Sequence, residues 1–364
     1  MRRFVRPHTL VFVACVLAST QILSGKGHDG LKHLSSEARR EAIRRAQVWR
    51  PRDIPGTDVR VGPTGKGAFD SSQPVYCTYR KRPKSGHTPK FTCAVGPDDE
   101  VKVKYGRENG EVFGEVAATR LFWVLGFGAD RMYSVRVICH ECPFDSLGDA
   151  GSSSRGADVV FDPAAIERKM AGRTMESHTD SGWSWPELEL VDERAGGAPR
   201  AHRDALKLLA AIVQHTDSKA EQQRLVCLSE DEGEDAVVCA QPFMMVSDFG
   251  MTFGRANRFN RDAPGSVNLE RWASTPVWKD PARCIAYLPK SATGSLEHPR
   301  ISEEGRAFLA NLLTQLSDQQ IRDVFEAARM PLRSLDPRRS GTIDEWAAAF
   351  RQKRDEVVQH TCPS

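Results

Sequence analysis

Residues 212–222 read IVQHTDSKAEQ, and residues 246–250 read VSDFG. Each stretch begins with apolar residues typical of a buried helix end or strand, and each then places an aspartate in a polar turn. Asp217 follows His215 in the first stretch, and Asp248 precedes Phe249 in the second. A turn aspartate alone is usually just a solvated loop residue. The two in this order predict a site in which paired carboxylates act together.

The two stretches resemble the catalytic signatures of protein kinases, H-R-D-L-x-x-x-N followed by D-F-G. The matching residues are His215, Asp217, Asp248, Phe249 and Gly250. The resemblance implies that Asp217 orients an acceptor hydroxyl and that Asp248 holds a divalent metal ion on the phosphates of ATP. Thr216 stands in place of the arginine, and Gln222, or Gln223 as a reserve, in place of the metal-binding asparagine.

A lysine and a glutamate upstream fit the same chemistry. Residues 101–104 read VKVK, and strand alternation places both lysines on one face, usually a solvated one. A buried kinase lysine requires a glutamate partner, and the apolar pattern of residues 110–126 predicts a helix that presents Glu115 near its inner edge. Lys104 with Glu115 is the predicted catalytic pair, with Lys102 and Glu111 as reserves. A glutamate on a solvated helix face is the alternative.

A glycine-rich turn precedes these elements. Gly65 and Gly67 lie in the run GPTGKGAF at residues 62–69, between the predicted strand 59–61 and later β-rich runs. Backbone N–H groups of such a turn can bind phosphate, so the pair is predicted to contact the nucleotide together with Lys104. The run lacks the end of a Walker A motif and the helix that follows one. An ordinary Gly-Pro turn is the alternative.

Together with EVAATRL at residues 115–121 and LGF at 125–127, these motifs make residues 55–330 resemble atypical kinase-like proteins. The most similar in pattern are secretory-pathway kinases of the Golgi casein-kinase type and the HipA and CotH kinases. The resemblance implies an α+β fold of two lobes, a β-rich N-lobe at 55–140 and a mainly helical C-lobe at 141–330. ATP and Mg²⁺ or Mn²⁺ would bind between the lobes. No A-P-E motif follows the DFG turn, which leaves recognition of a peptide substrate open.

Periodicity predicts the remaining elements. Helices are expected at 35–49, 201–214, 302–316, 317–329 and 343–358, and strands at 74–79, 90–95 and 131–139. Residues 157–200 show no regular pattern and are predicted to be irregular. Residues 26–54 form a polar helix and linker, and residues 331–364 form a helical extension. The extension carries an EF-hand-like turn at 336–344 that lacks the ligand residues for calcium.

The N-terminus predicts export. Basic residues in 1–6, an apolar run at 9–17 and small residues after it are typical of a secretory signal peptide over residues 1–25. The apolar run is short for a membrane span, so no stable span is expected after cleavage. An uncleaved anchor is the alternative. The mature chain is therefore predicted to be secreted or periplasmic.

The cysteines agree with export. Of nine cysteines, Cys15 falls in the signal, which leaves an even number for disulfides in an oxidising compartment. Two local pairs are predicted, Cys77 with Cys93 and Cys227 with Cys239. Residues 139–142, Cys-His-Glu-Cys, could instead bind zinc, but no second ligand pair in the sequence completes a site, which favours disulfides.

Composition limits the function. The chain has 364 residues, 40% hydrophobic and 27% charged, which is enough for a sizeable core. A net charge of only +3 gives no case for nucleic acid as a partner. The expected partners are ATP and a hydroxyl-bearing acceptor that is protein, sugar or lipid. Two alternatives stay open, a catalytically inactive pseudokinase and a transferase that moves AMP.

Overall fold

The computed structural model describes residues 34–83, 86, 88–142, 157–177, 180–228, 239–254, 267–333 and 340–363. The chain divides into two units, Met1–Lys32 and His33–Ser364, and the first lies outside the described residues, as does the predicted signal peptide. The α-helices are α1 Ser36–Arg44, α2 Glu111–Val124, α3 Arg200–Ile212, α4 Leu269–Ser274, α5 Glu303–Thr314, α6 Asp318–Ala327 and α7 Ile343–Gln359.

The β-strands are β1 Val75–Arg80, β2 Lys90–Gly96, β3 Asp99–Tyr105, β4 Arg131–His140, β5 Asp158–Arg168, β6 Arg173–Thr174, β7 Gln223–Cys227, β8 Pro242–Val246, β9 Trp278–Asp280 and β10 Ile285–Ala286. Short 3₁₀ helices cover Trp185–Leu190, Glu193–Ala195, Ala220–Gln222, Pro281–Arg283 and Met330–Leu332.

The first five strands close into a barrel in the order β1-β2-β3-β5-β4. Strand β1 closes it by running parallel to β4, with Cys77 opposite Cys139, and the other neighbours are antiparallel. Alternation fills the interior with the apolar side of each strand, including Phe91, Val103 and Tyr133. The opposite side of β3 carries Lys102 and Lys104, which therefore lie on the outside of the barrel.

Helix α2 packs on the outside of the barrel. Almost all of its side chains are buried because one side contacts β3, β4 and β5 and another contacts α6. The helix ends before Gly126, whose φ of 88° an L side chain rarely adopts. A Cβ there would lie 2.2 Å from the carbonyl oxygen of Arg50, so the turn requires glycine. This packing places Glu115 of α2 against the outer face of the barrel, beside Lys104 of β3.

The remaining elements include the β7–β8 hairpin and a layer of helices. Every residue of β7 and β8 is buried, and the loop and turn that carry the two aspartates lie next to the hairpin. Helix α3 packs against α5, and α7 packs against α5 and α6. Buried aromatic side chains of α4, α6, α7 and the stretch after the DFG turn form one cluster, made of Phe253, Trp272, Phe325, Trp346 and Phe350.

The fold is mixed α+β, as the sequence predicts, and most predicted elements are present within a few residues. Helix α1 is shorter than expected because the chain leaves the helix after Arg44 and forms bridges at Gln47 and Trp49. The division into two lobes stays a prediction; the structure shows a closed five-stranded barrel. In the predicted C-terminal turn, residues 334–339 lie outside the described residues, and α7 follows with Thr342 as its N-cap.

Two sequence-based predictions are wrong. The predicted strand at 59–61 is a turn, because Asp58 accepts hydrogen bonds from the Val61 and Gly62 amides through its side chain and carbonyl. Residues 157–200 are not irregular throughout: β5, the longest barrel strand, occupies Asp158–Arg168. An aspartate and a proline at its centre, Asp162 and Pro163, obscure its strand pattern in the sequence.

Four disulfide bonds join pairs of cysteines among the described residues. Cys77–Cys93 and Cys227–Cys239 confirm the two predicted pairs. Cys139–Cys142 closes the Cys-His-Glu-Cys turn, in agreement with the preference for a disulfide over zinc, and Cys284–Cys362 attaches the end of the chain after α7. Among the described residues, no helix is both long enough and apolar enough to cross a membrane.

Candidate functional site

Lys104 lies at the centre of the candidate site. Its side chain is 1% exposed, and its Nζ lies 2.8 Å from Glu111 Oε2, in close contact with Glu115 Oε1, and 3.9 Å from Asp248 Oδ2. Burial by itself lowers the pKa of Lys104, but the three carboxylates outweigh that effect and raise the pKa well above its ordinary value. The lysine is therefore a permanent buried cation.

The three carboxylates around Lys104 differ in environment. Glu115 is almost fully buried, whereas the Asp248 side chain is 34% exposed. Burial raises the pKa of Glu115 well above its ordinary value; Asp248 and Glu111 act in the same direction, and Lys104 opposes them. For Asp248, burial also favours the neutral form, but Lys104 and a hydrogen bond with Glu115 hold its pKa far below the usual range. Asp248 therefore stays ionised, with one-third of its side chain open to solvent.

Asp217 sits in the loop after α3, with both carboxylate oxygens in contact with other groups. Oδ2 accepts a hydrogen bond from Gln222 Nε2 at 3.0 Å and lies 3.7 Å from Lys219 Nζ. Oδ1 accepts a hydrogen bond from the hydroxyl of Ser291 at 3.3 Å. The Asp217 side chain is 22% exposed, so a hydroxyl group from outside could approach it.

Gln222 joins the two aspartates. Its side chain holds Asp217, and its backbone carbonyl accepts hydrogen bonds from the amides of Ser247 and Asp248, at 2.8 and 3.1 Å. Asp248 in turn accepts a hydrogen bond from the Gly250 amide at 2.9 Å. An amide binds metal ions through its oxygen, so Gln222 would offer the neutral Oε1 while its Nε2 donates to Asp217.

Behind the aspartates, aromatic rings fix the loop. Phe249 is fully buried, with its ring 4.5 Å from that of Phe122 on α2 and 5.2 Å from that of His215. Burial lowers the pKa of His215 to about 4, and neither ring nitrogen has a hydrogen-bond partner among the described residues. His215 is therefore a neutral packing residue against Phe249. Because Phe249 also packs on Phe122, the position of the neighbouring Asp248 depends on α2.

The predicted phosphate turn lies elsewhere on the barrel. Both Gly65 and Gly67 have positive φ, but Gly67 accepts a hydrogen bond from Arg168 at the end of β5, and Lys66 accepts one from Arg131. Among the hydrogen bonds of the described residues, none joins this turn to Lys104. The described hydrogen bonds thus do not join Gly65 and Gly67 to the other predicted site residues, and their contact with a phosphate stays a prediction.

The start of β2 lies beside Lys104. Lys90 is directly opposite Lys104 in the β2–β3 pair, so the two lysines share the outer face of the barrel. Burial lowers the pKa of half-buried Lys90, and among the described residues it forms no ion pair. Thr88, two residues earlier, has a buried hydroxyl without a described partner. The position of Lys90 follows from the register of β2 against β3, which no motif in the sequence indicates.

The reserve residues also have defined positions. Glu111 contacts Lys104 directly, so both Glu111 and Glu115 belong to the cluster. Lys102 is 43% exposed and pairs with Glu167 of β5 at 2.6 Å. Gln223, the reserve for Gln222, is fully buried at the start of β7. Lys104 therefore belongs to the cluster and Lys102 does not. Likewise, the side chain that bonds Asp217 is that of Gln222 and not that of Gln223.

No family model matches the chain, and no curated protein matches it either. Among solved structures, a proinflammatory kinase of Helicobacter pylori, CtkA, is similar to the chain with a TM-score of 0.43 and 8% identity. The similarity covers 79% of this chain and 96% of that one. At this level it gives no information about side chains. The contacts of Lys104, Asp217 and Asp248 are therefore the basis for a functional assignment.

Proposed function

We propose that the chain is an exported, atypical kinase-like phosphotransferase that moves the γ-phosphate of ATP to a hydroxyl acceptor on protein. One observation carries the proposal. A fully buried lysine contacts two helix glutamates and the DFG aspartate, and that aspartate is tied through Gln222 to a second, accessible aspartate. A structural ion pair needs one carboxylate; it does not need three acidic groups around one lysine and a fourth in a loop tied to them.

The residues present fit a divalent metal ion and a triphosphate. Mg²⁺ and Mn²⁺ prefer carboxylate oxygens, and Asp248 offers an ionised, one-third exposed carboxylate, with Gln222 Oε1 as a second oxygen. The metal ion would neutralise phosphate charge. Lys104 supplies a fixed cation for phosphate oxygens, and Glu111 and Glu115 hold its ammonium group in place.

Asp217 suits the role of orienting the acceptor. It already accepts a hydroxyl hydrogen bond, from Ser291, and Lys219 and Gln222 fix its position. A carboxylate in that position aligns an incoming hydroxyl and can take its proton as the phosphate is transferred. The four disulfide bonds support action in an oxidising compartment outside the cytoplasm.

A second candidate is a pseudokinase that binds partners without turnover. The observation that favours it is the hydrogen bond of Gln222 Nε2 to Asp217, which leaves the second metal position with one neutral oxygen. A protein of this kind would bind nucleotide weakly or not at all and would transfer nothing. Transfer of AMP on the same site is a further outcome that the experiment must separate.

The test is a mass-spectrometric search for phosphate or AMP on acceptor proteins after incubation with ATP and Mg²⁺ or Mn²⁺. We expect phosphate with the wild type and none with Asp217→Ala or Asp248→Ala. Lys102→Met is the matched control, because Lys102 lies on the same strand face but pairs with Glu167 outside the cluster. Transfer of AMP would change the reaction class, and no transfer by the wild type would favour the pseudokinase.

A further inference from the structure

The chain places one of its own hydroxyl groups on the proposed acceptor-orienting aspartate. Ser291 Oγ donates to Asp217 Oδ1 at 3.3 Å, and within the described parts of the chain it is the side-chain hydroxyl that bonds this carboxylate. The other oxygen of Asp217 faces Gln222 and Lys219, which provide N–H donors. Ser291 thus stands where an acceptor hydroxyl would have to stand.

The backbone around Ser291 is seated along the Asp217 loop. The Ser291 amide donates to the Thr216 carbonyl at 2.9 Å, and the Ser295 amide donates to the Ser218 carbonyl at 3.1 Å. The Leu296 amide donates to Ser218 Oγ at 3.0 Å. Residues 291–296, named here the Ser291 segment, therefore lie against residues 216–218 on both sides of Asp217.

Close packing fixes the position of the Ser291 segment, yet Ser291 stays partly accessible to solvent. A Cβ on Gly294 would lie 2.9 Å from the Thr216 carbonyl oxygen, so the segment approaches the loop as closely as glycine allows. Ser291 itself is half-buried, and the next two residues, Ala292 and Thr293, are exposed. The hydroxyl is thus held on the carboxylate by the backbone while one side of the serine faces solvent.

We propose that Ser291 is a self-phosphorylation site, the first acceptor of this chain's own transferase reaction. The proposal rests on the phosphotransferase function given above. Ser291 Oγ forms a bond to the γ-phosphorus of ATP while the bond from that phosphorus to the bridging oxygen breaks. ADP leaves with that electron pair, and the proton of the hydroxyl passes to Asp217. One phosphate is added at this position per chain.

Modification at Ser291 would also release the segment. A phosphoserine has lost the hydroxyl proton that bonds Asp217, and its negative charge faces that carboxylate. Repulsion would weaken the seat of residues 291–296 and free Asp217 for another acceptor. Self-phosphorylation would thus expose the acceptor position.

The first experiment maps phosphate on the purified, disulfide-bonded chain after incubation with ATP and Mg²⁺ or Mn²⁺. We expect phosphate on Ser291 at an initial rate per chain that does not change over about tenfold dilution, because the acceptor lies in the same molecule. Ser291→Thr should carry phosphothreonine at the same position, an outcome that a purely structural role for Ser291 does not produce. Thr293→Ala, an exposed hydroxyl two residues away, is the matched control and should leave phosphorylation of Ser291 unchanged.

A second readout needs no nucleotide. Ser291→Asp should accelerate hydrogen exchange of the amides of residues 291, 295 and 296, since a carboxylate there repels Asp217, whereas Thr293→Asp should not. Phosphate on other residues or on added acceptors, with Ser291 unmodified, would overturn the self-acceptor proposal and leave the phosphotransferase intact. Nucleotide binding without any transfer would overturn both, and unchanged exchange in Ser291→Asp would show that the contact with Asp217 does not hold the segment.

Discussion

Replacing Lys104 by methionine tests how the site is built. Methionine preserves most of the apolar stem but removes the only cation that contacts Glu111, Glu115 and Asp248 among the described residues. Removing one partner of a buried ion pair costs about 3–5 kcal/mol, because the remaining charge is left in a poorly solvated place. Asp248 is one-third exposed and can be solvated in part, so we expect a loss near the lower end, about 3 kcal/mol.

The measurement is urea unfolding of the disulfide-bonded protein, with Lys102→Met as the control on the same strand. Lys102 is 43% exposed, and an ion pair with water on one side contributes at most about 1 kcal/mol. The Lys104→Met loss should shrink as the pH falls, because Lys104 lowers the folded-state pKa of both Glu115 and Asp248. Without Lys104 these pKa values rise, so the variant loses stability as the pH rises and regains it where the carboxyl groups are protonated. Equal losses for the two variants would refute the reasoning.

Three further predictions follow from the same structure. N-terminal sequencing of exported protein should begin between about residue 19 and about residue 27; a reduced, cytoplasmic protein would contradict export. Non-reducing peptide mapping should recover Cys227 linked to Cys239, and a free thiol at either position would show that the bond is absent. Burial lowers the pKa of His215 from 6.5 to about 4, so the unfolded chain binds that proton first and stability rises with pH in this range. Urea unfolding should show about 2 kcal/mol less stability at pH 5 than at pH 8 from this residue, a dependence that His215→Phe should remove.

Short motifs predicted which side chains lie together better than they predicted the surrounding structure. Lys104, Glu115, Asp217 and Asp248 could be found because each lies directly on or after an element with strong apolar periodicity, and packing brings three of them together. Strand alternation alone left Lys102 and Lys104 equivalent. Only the position of α2 distinguishes the buried lysine from the exposed one.

The phosphate turn shows what a local pattern cannot give. Gly65 and Gly67 have the conformation expected of a glycine turn, but their place depends on Arg168 and Arg131, which come from strands far along the sequence. Strand β5 was missed because its aspartate and proline break the pattern, while its pairing with β3 and β4 fixes it in place. The barrel closes through the pairing of strands that are far apart in the sequence, and a short stretch of sequence cannot predict such pairing.

The contact of Ser291 with Asp217 could not be predicted from the sequence, for the same reason. The two residues are 74 positions apart, and residues 267–300 have little periodic pattern to place them. Hydrogen bonds from the segment to the carbonyls of Thr216 and Ser218 decide where it lies. Such backbone pairing is independent of side-chain type and leaves no motif.

Binding of ATP with Mg²⁺ or Mn²⁺, measured by thermal shift, tests the central claim most directly, because a ligand that prefers the native state raises its stability. We predict a shift for the wild type that requires the metal ion, its loss in Asp248→Ala and its retention in Asp217→Ala. No shift in the wild type with either metal would contradict a nucleotide site at Lys104. A shift that Asp248→Ala leaves unchanged would place the site elsewhere in the chain.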